Sequence, residues 1–274
     1  MTRKYLLVVR AGDRSLHPGW LTPSDRPRLW DLHISYFGDK DAPFGELPEG
    51  VTLSHEKGPK YLGLAACLQK HPDFLTRYSH LGFPDDDLAC DVAAWNSAFT
   101  VLDEIGSDLG QPALDPRSFF SYDIVLRRAR FNYRETDFVE LMCPIFSVAF
   151  LRAMLPTWTL NKSSWGLDFV WRETARREGR KIAIVDSACV LHTRAIGKGT
   201  QYSAANMQGA TQHDEYRAVL AQFHITDTSR NVLRGVRRDG SILTNAFWLN
   251  RRLKIAGLRR KLRAVLGVTA VSAR

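Results

Sequence analysis

Three consecutive aspartates, Asp85, Asp86 and Asp87, follow a short apolar and aromatic segment at residues 78–84. A strand ending here would place the carboxylates at positions i and i+2, Asp85 and Asp87, on the same side of a sheet. Carboxylate oxygens are hard ligands that suit Mg²⁺ or Mn²⁺. The spacing therefore predicts a divalent metal site that could carry a substrate diphosphate. Acidic runs are also common in solvated loops, so the position of the triplet in the fold decides between these interpretations.

Length and cysteine usage limit the class of protein. With 274 residues, 45% of them hydrophobic, the chain can form one large α/β domain or two small ones. The four cysteines lack CxxC spacing, which favours buried free thiols over a disulfide framework or a zinc site. The chain contains no run of 18 apolar residues, so no membrane-spanning helix is predicted. Because the first predicted strand begins at Lys4, we expect no signal peptide and a cytoplasmic location.

The positive charge of the chain is concentrated near its C-terminus. The whole chain carries +9, and residues 241–274 contain eight basic residues and no acidic one, so residues 1–240 carry only +1. Within this basic tail, apolar residues recur every three or four positions from Ile255 to Leu266, which predicts a basic amphipathic helix. We therefore expect a catalytic domain over residues 1–240 and a tail over 241–274 that attaches peripherally to an anionic membrane surface. The alternative is a helix that packs on the domain.

Strand and helix patterns alternate along the chain. Strands are predicted over 4–10, 29–37, 78–84, 126–131, 139–146 and 181–192, and helices over 61–70, about 89–106, 147–155 and 167–177. Residues 40–52 are predicted to be a loop, and no strand is predicted after His192. This alternation predicts an α/β fold with a mostly parallel sheet flanked by helices. Ligands of such sheets bind beyond the carboxyl ends of the strands, where the acidic triplet would lie.

Several segments resemble a known family in order and spacing. They are PDDDL at Pro84–Leu88, GQPAL at Gly110–Leu114, VELMCPIFS at Val139–Ser147, WGLDF at Trp165–Phe169 and IAIVDSACVLH ending at His192. Over about residues 4–195 the chain resembles the bacterial and plant domain-of-unknown-function family numbered 707, which is itself similar to GT-A-type glycosyltransferases. The resemblance implies a GT-A-like, Rossmann-like domain. It places the nucleotide at the N-terminal half of the sheet and the acceptor at the C-terminal half.

The resemblance also assigns a metal site. GT-A enzymes carry an Asp-X-Asp motif whose first carboxylate approaches the ribose or the metal and whose last carboxylate binds the metal. These roles fall to Asp85 and Asp87, and the intervening Asp86 is counted with Asp85 among the nucleotide-binding residues. A later histidine commonly adds a metal ligand, and His192 is the candidate, as a ligand better suited to Mn²⁺ than to Mg²⁺. The alternative for His192 is a histidine that only caps a strand.

Two carboxylates are candidates for the catalytic base. Asp168 falls where inverting GT-A enzymes place a carboxylate near the acceptor, and an acceptor hydroxyl needs a base to remove its proton. Alternatively, Asp168 only stabilises the first turn of its helix. Glu140 is the second candidate because it lies in a predicted apolar strand. A salt bridge from Glu140 to a nearby arginine (Arg127, Arg128 or Arg130) is equally compatible with the sequence.

Further residues could contact the nucleotide or a sugar. The nucleotide-binding candidates are charged residues near predicted strand ends or in a glycine-containing loop: Arg10, Asp39, Lys60, Arg194 and Lys198. Arg10 could stack on the base or bind phosphate, and the loop 194–202 could close on a diphosphate. Surface charge is the alternative for each. Trp158 and Trp165 could form a platform for a sugar ring, with core packing as the alternative.

Together these features predict a metal-dependent glycosyltransferase, using Mn²⁺ or Mg²⁺. It would move a sugar from a nucleotide-diphosphate donor to a glycan or lipid-linked acceptor with inversion, in surface polysaccharide assembly. The alternative is a non-catalytic nucleotide- or glycan-binding module with the same fold. A nucleic-acid-binding protein is disfavoured because the excess charge lies in the tail. The chain also lacks GxGxxG, Walker A, GxSxG and HExxH motifs, which disfavours dinucleotide oxidoreductases, P-loop NTPases, serine hydrolases and zinc proteases.

Overall fold

A computed structural model describes residues 3–22, 24–196, 210–245 and 249–250. Lys198 and the predicted amphipathic helix of the basic tail lie outside the described residues. No described helix is long and apolar enough to cross a membrane. The four cysteines are free, and Cys67 and Cys143 are buried.

One large sheet forms the centre of the described part of the chain. Its strands are β1 (Tyr5–Ala11), β2 (Trp30–Tyr36), β3 (Val51–His55), β4 (His80–Gly82), β5 (Leu88–Ala89), β6 (Leu109–Leu114), β7 (Phe131–Thr136), β8 (Ile145–Ser147), β9 (Ile182–His192), β10 (Val232–Arg237) and β11 (Ile242–Leu243). The spatial order is β11-β10-β7-β9-β6-β8-β4-β1-β2-β3, and β5 pairs with β9.

Most of these strands run in one direction. β1 pairs in parallel with β2 and β4, β2 with β3, and β6 with β9. β8 lies antiparallel between β4 and β6, so β6 and β9 point the same way as β1. Only β7, β8 and β11 oppose this direction along the described strand order. The predicted mostly parallel α/β sheet is therefore confirmed.

Seven helices accompany the sheet in the described residues: α1 (His17–Trp20), α2 (Lys60–Lys70), α3 (Phe74–Arg77), α4 (Val92–Glu104), α5 (Val148–Met154), α6 (Leu167–Glu178) and α7 (Gln212–Gln222). Two short 3₁₀ turns span Asp123–Val125 and Leu155–Thr159. The Asp91 side chain caps α4 by accepting from Ala94 N, and Ser147 caps α5 in the same way. α2 packs on β1 and β2, and α4 packs on β6 and β9, which covers the apolar strands.

Four predictions of secondary structure were wrong. β3 begins inside the predicted loop 40–52, and β10 and β11 follow His192. The strand predicted at 126–131 begins only at Phe131, and of the strand predicted at 139–146 only the last residues form β8. A further strand, β6, has the sequence LGQPAL, which does not predict a strand because glycine and proline have low strand propensity. All six residues of β6 are buried between β8 and β9, so tertiary packing overrides propensity there.

The boundary predicted at residue 240 falls within a β-hairpin. β11 pairs with β10 through Val236 and Ile242. Leu249 is fully buried, and its carbonyl oxygen accepts a hydrogen bond from Arg128 Nη1 at 2.8 Å. The start of the predicted tail therefore packs on the domain.

A buried ion pair fixes the strands beside the site. Arg134 on β7 and Asp186 on β9 are both fully buried, with Arg134 Nε 2.7 Å from Asp186 Oδ2. Arg134 also donates to the carbonyl oxygens of Ile124 (2.7 Å) and Leu126 (2.9 Å). The guanidinium thus ties the 124–126 segment to the sheet, and this segment follows directly on residues that line the site.

Candidate active site

The acidic triplet lies where β1, β4 and β9 end. Arg10 near the end of β1 bridges in parallel to Asp85, three residues beyond the last β1–β4 pair, Leu7 and Gly82, and in the same register. Beyond the triplet, Leu88 on β5 pairs with His192 at the end of β9. The triplet is therefore held between the carboxyl ends of two strands of the parallel part of the sheet. This is the position in which open α/β sheets bind ligands.

Asp85, Asp87 and His192 form a cluster of potential metal ligands. One ligand atom from each residue lies within 4.8 Å of the other two. Asp87 and His192 are buried, whereas the Asp85 side chain keeps about 30% of its surface exposed. The two carboxylates and the imidazole thus converge on one small volume, with an opening on the Asp85 side. We call these three residues the acidic–histidine cluster.

The hydrogen bonds around His192 leave one of its nitrogen atoms for a ligand. Nδ1 lies 2.8 Å from the carbonyl oxygen of Phe119, which can only accept, so Nδ1 carries a proton. In the neutral ring Nε2 then presents a lone pair 3.3 Å from Asp87 Oδ1. Asp87 Oδ1 is itself buried without a hydrogen-bond partner among the described residues. Two lone pairs facing each other in a buried site require a cation or a proton between them, and a backbone bond to the second nitrogen is typical of metal-binding histidines.

The electrostatics of His192 agree with this need for positive charge. Burial disfavours the charged imidazole, but the carboxylate of Asp87 at 3.3 Å, together with that of Asp85, outweighs it and raises the pKa of His192. The donor set of two carboxylates and one imidazole suits Mn²⁺, which accepts both oxygen and nitrogen ligands. The residues present therefore fit a divalent metal.

Asp86 faces different partners from its two neighbours. Its Oδ2 accepts from Gly12 N at 3.0 Å, and its Oδ1 pairs with Arg194 Nη1 at 3.1 Å. Arg194 Nη2 also donates to the carbonyl oxygen of Arg14. Burial raises the pKa of Asp86, while the bond from Gly12 and the charge of Arg194 oppose that rise. Asp86 thus fastens the loop after β1 to the segment after β9, and both of these segments line the cavity.

Arg10 and Asp39 have partners that limit their predicted roles. Arg10 Nη1 donates to Ser35 Oγ (2.9 Å) and to the Glu56 carbonyl oxygen (2.9 Å), and Nη2 donates to the Gly58 carbonyl oxygen (2.7 Å). Burial lowers the pKa of Arg10 to about 10. Its guanidinium holds the loop before α2 at the edge of the cavity. Asp39 pairs with Lys57 at 2.6 Å, is almost fully exposed, and does not belong to the described lining of the cavity.

A cavity of about 1280 Å³ joins these groups to the predicted catalytic residues. Its walls include Arg10, Lys60, the acidic triplet, Glu140, Asp168, His192 and Arg194. The lining also contains exposed or partly exposed residues that the sequence did not single out, among them Arg14, Phe37, Lys162 and Tyr216. Phe37 directly follows β2, is 40% exposed, and lies with its ring centroid 5.4 Å from the Arg10 guanidinium. An aromatic residue at the end of a parallel strand was the available signal.

Asp168 lies in the first turn of α6. The helix starts after Gly166, whose φ of 95° favours glycine, and Asp168 Oδ1 accepts from Phe169 N at 3.1 Å. Burial raises the pKa of Asp168 from its usual 3.8 to about 7, and the bond from Phe169 and the charge of Arg230 oppose the rise only partly. A carboxylate with a pKa near neutrality in a cavity is suited to general-base chemistry.

Glu140 lies in the loop before β8 and not in a strand, which corrects the prediction. Its Oε1 accepts from Ser121 N (2.9 Å) and Tyr122 N (3.1 Å), whereas Oε2 is buried without a partner among the described residues. Burial raises the pKa of Glu140 to about 8; the bond from Ser121 opposes the rise and the nearby Asp168 adds to it. The carboxyl group therefore fixes the backbone of residues 121–122 beside Asp168.

The two predicted platform tryptophans have different surroundings. Trp158 is fully buried and packs edge-on against Tyr61 and Phe83, with ring centroids at 5.0 and 4.8 Å. It belongs to the core, so its predicted role as a sugar platform is wrong. Trp165 lines the cavity and contacts His213 edge-on at 5.2 Å.

Known structures share this fold. A structure titled GalNAc-T7 with UDP, GalNAc and Mn²⁺ matches with a TM-score of 0.60 and 12% identity, over 80% of this chain and 48% of that chain. The structure of S. aureus TarS 1–349 in complex with UDP-GlcNAc matches with a TM-score of 0.53 and 13% identity, over 82% of this chain and 68% of that chain. The chain thus spans about half the length of the GalNAc-T7 structure. These neighbours are GT-A glycosyltransferases, so the chain has a GT-A-like fold.

The comparison by family agrees with the resemblance seen in the sequence. No curated protein matches the chain at a significant level. A family profile does match, over residues 65–230, and this range contains the acidic–histidine cluster, Glu140 and Asp168. The chain therefore belongs to the family described as "Protein of unknown function (DUF707)".

Proposed function

We propose that this protein is a metal-dependent glycosyltransferase that moves a sugar from a nucleotide-diphosphate donor to a glycan or lipid-linked acceptor. The observation that carries the proposal is the acidic–histidine cluster at the carboxyl ends of β1, β4 and β9, in one cavity with Asp168. The fold neighbours were solved with UDP and Mn²⁺ or with UDP-GlcNAc, which supports a uridine donor.

Asp85, Asp87 and His192 would hold the divalent metal, which when bound supplies positive charge to the departing diphosphate. Arg10 and Phe37 at the end of the N-terminal strands would border the nucleotide. Arg194, fixed by Asp86, would present a further positive charge at the rim of the same cavity. These residues bind and orient the donor and make no covalent bond to it.

Asp168 would act as the general base. The acceptor hydroxyl oxygen attacks the anomeric carbon, and the bond from that carbon to the phosphate oxygen breaks with its electron pair leaving on the diphosphate. The hydroxyl proton passes to the Asp168 carboxylate. A pKa of about 7 makes this carboxylate a stronger base than an exposed aspartate while leaving about half of it ionised at pH 7. A single displacement of this kind inverts the anomeric configuration.

The buried carboxylates favour catalysis over simple binding. Burying an ionisable group without full hydrogen bonding costs stability, yet Asp168 and Glu140 both line the cavity with raised pKa values. Ionisable groups with strongly shifted pKa values in a cavity are typical of catalytic sites.

A thermal unfolding screen of the full chain tests the proposal. UDP-GalNAc, UDP-GlcNAc and UDP-glucose are each added with and without Mn²⁺, and released UDP is measured in parallel. We expect one donor to raise the melting temperature only when Mn²⁺ is present, since a ligand at 100 times its Kd stabilises the folded state by about 2.7 kcal/mol. We also expect slow release of UDP. A flat screen without UDP release contradicts the proposal, whereas stabilisation without any turnover supports the binding module.

A further inference from the structure

Lys60 places a fixed positive charge on one member of the acidic–histidine cluster. Its Nζ lies 2.6 Å from Asp85 Oδ1, 2.6 Å from the Leu141 carbonyl oxygen and 3.3 Å from the Met142 carbonyl oxygen. An ammonium group has three protons to donate, and these three acceptors match them. The side chain is only 11% exposed.

The surroundings of Lys60 hold it in this position. It is the first residue of α2, and the next residue, Tyr61, donates from its hydroxyl to the same Leu141 carbonyl oxygen at 3.0 Å. Asp85 N donates to the Met142 carbonyl oxygen at 2.6 Å. The start of α2, the 141–142 backbone and Asp85 therefore form one connected network, and Lys60 is part of the fold rather than a solvated surface lysine.

A divalent metal bound by the acidic–histidine cluster would be repelled by the nearby positive charge of the Lys60 ammonium. Asp85 already has one carboxylate oxygen bound to an ammonium, so it offers less negative charge to a second cation. Like charges a few ångströms apart repel appreciably even at high dielectric constant. A diphosphate reverses the balance, because its negative charges can be shared between the metal and the ammonium group.

We propose that Lys60 competes with the metal for Asp85, so that the protein binds a divalent metal weakly alone and tightly only together with a nucleoside diphosphate. The second half of this statement rests on the proposed function, whereas the competition itself does not. Lys60 then acts as a positioning residue that couples the two ligands. By linkage, the metal raises nucleotide affinity by the same factor.

Mn²⁺ binding to the full chain, followed by the electron paramagnetic resonance signal of free Mn²⁺, tests the competition. Without nucleotide, we expect Lys60→Met to bind Mn²⁺ about tenfold more tightly than the wild type, because a unit positive charge has left the site. Lys57→Met is the matched control: Lys57 lies three residues earlier, is 64% exposed and pairs with Asp39 outside the cavity lining. This variant should bind Mn²⁺ like the wild type.

Lys60→Gln is the second variant, for use if Lys60→Met fails to fold. The glutamine amide is neutral but can still donate to the 141–142 carbonyl oxygens. This variant should also bind Mn²⁺ more tightly than the wild type. A folded neutral variant that binds Mn²⁺ no better than the wild type overturns the competition.

In the second arm of the experiment, Mn²⁺ binding is measured in the presence of UDP. UDP should raise the Mn²⁺ affinity of the wild type by a larger factor than it raises the Mn²⁺ affinity of the neutral variant, and equal factors overturn the coupling. If UDP does not bind at all, the proposed function fails while the Mn²⁺-only arm still decides the role of Lys60.

Discussion

Replacing Asp168 by asparagine should make the protein more stable than the wild type at high pH and strongly reduce transfer. Asp168 is 6% exposed, and burial raises its pKa to about 7. Between the unfolded pKa of about 3.8 and the folded pKa, the unfolded chain releases this proton and the folded protein keeps it. The wild type therefore loses stability as the pH rises through this window. Asparagine cannot titrate, so the variant is spared this loss.

The size of the effect follows from the two pKa values. A difference from 3.8 to about 7 corresponds to about 4 kcal/mol between the protonated and ionised forms. Most of the unfolded carboxylate is already ionised at pH 5, so about 3 kcal/mol of this loss remains between pH 5 and pH 8. The amide keeps an oxygen that can accept from Phe169 N, so the local helix turn is preserved.

Urea unfolding of wild type and Asp168→Asn at pH 5 and pH 8 measures this difference, because the contributions of titrating groups that do not interact with Asp168 cancel between the two proteins. Glu140, whose pKa the nearby Asp168 raises, adds to the difference in the same direction. The stability of the variant relative to the wild type should rise by about 3 kcal/mol from pH 5 to pH 8. Transfer should fall by about 10²–10⁴-fold with donor affinity retained. Asp39→Asn, at an exposed aspartate, should show no such rise. A relative stability that is unchanged or falls toward pH 8 refutes a buried carboxyl group with a raised pKa.

Three further predictions follow from the site and its support. Asp87→Ala should lose Mn²⁺-dependent stabilisation by the donor while melting like the wild type without ligand, which a thermal shift with and without Mn²⁺ checks; retained Mn²⁺ dependence would exclude Asp87 as a ligand. Glu140→Gln keeps the oxygen that accepts from the 121–122 amides, so turnover should stay within about tenfold of the wild type, and a larger loss in a transfer assay would move the base to Glu140. Arg134→Met leaves Asp186 buried without its ion-pair partner and should cost about 3–5 kcal/mol in urea unfolding at pH 7; a cost below about 1 kcal/mol would show that Asp186 is satisfied by other groups.

Local patterns were sufficient for the elements that carry the site. β1, β2, α2, α6 and β9 are long, strongly apolar or periodic segments, and the structure places them within a residue or two of their predicted limits. The order of these elements also fixes the acidic triplet at the carboxyl end of the sheet, because parallel strands bring their ends to one edge. The expected convergence of Asp85 and Asp87 is observed, but not for the expected reason. β4 ends at Gly82 and residues 86–87 form a turn, so this turn and the pairing of β5 with β9 bring the carboxylates together rather than the two-residue repeat of a strand.

The missed features depend on contacts between distant segments. Arg10 is occupied by Ser35, Glu56 and Gly58, which come from β2 and the loop after β3, an element the sequence did not reveal. The strand character of β6 arises from burial between two neighbours, against its own propensity. The sequence does not distinguish the surroundings of Trp158 from those of Trp165, yet Trp158 is buried in the core and Trp165 lines the cavity. The ammonium of Lys60 on Asp85 likewise joins residues 25 positions apart.

The central claim is that the acidic–histidine cluster binds a divalent metal together with a nucleotide diphosphate. Anomalous scattering from crystals of the full chain grown with Mn²⁺ and UDP tests it most directly. We predict the strongest anomalous peak between Asp87 Oδ1 and His192 Nε2, with the diphosphate oxygens of UDP bound to the same ion. Mn²⁺ bound elsewhere, or UDP bound with no anomalous peak at this cluster, would contradict it.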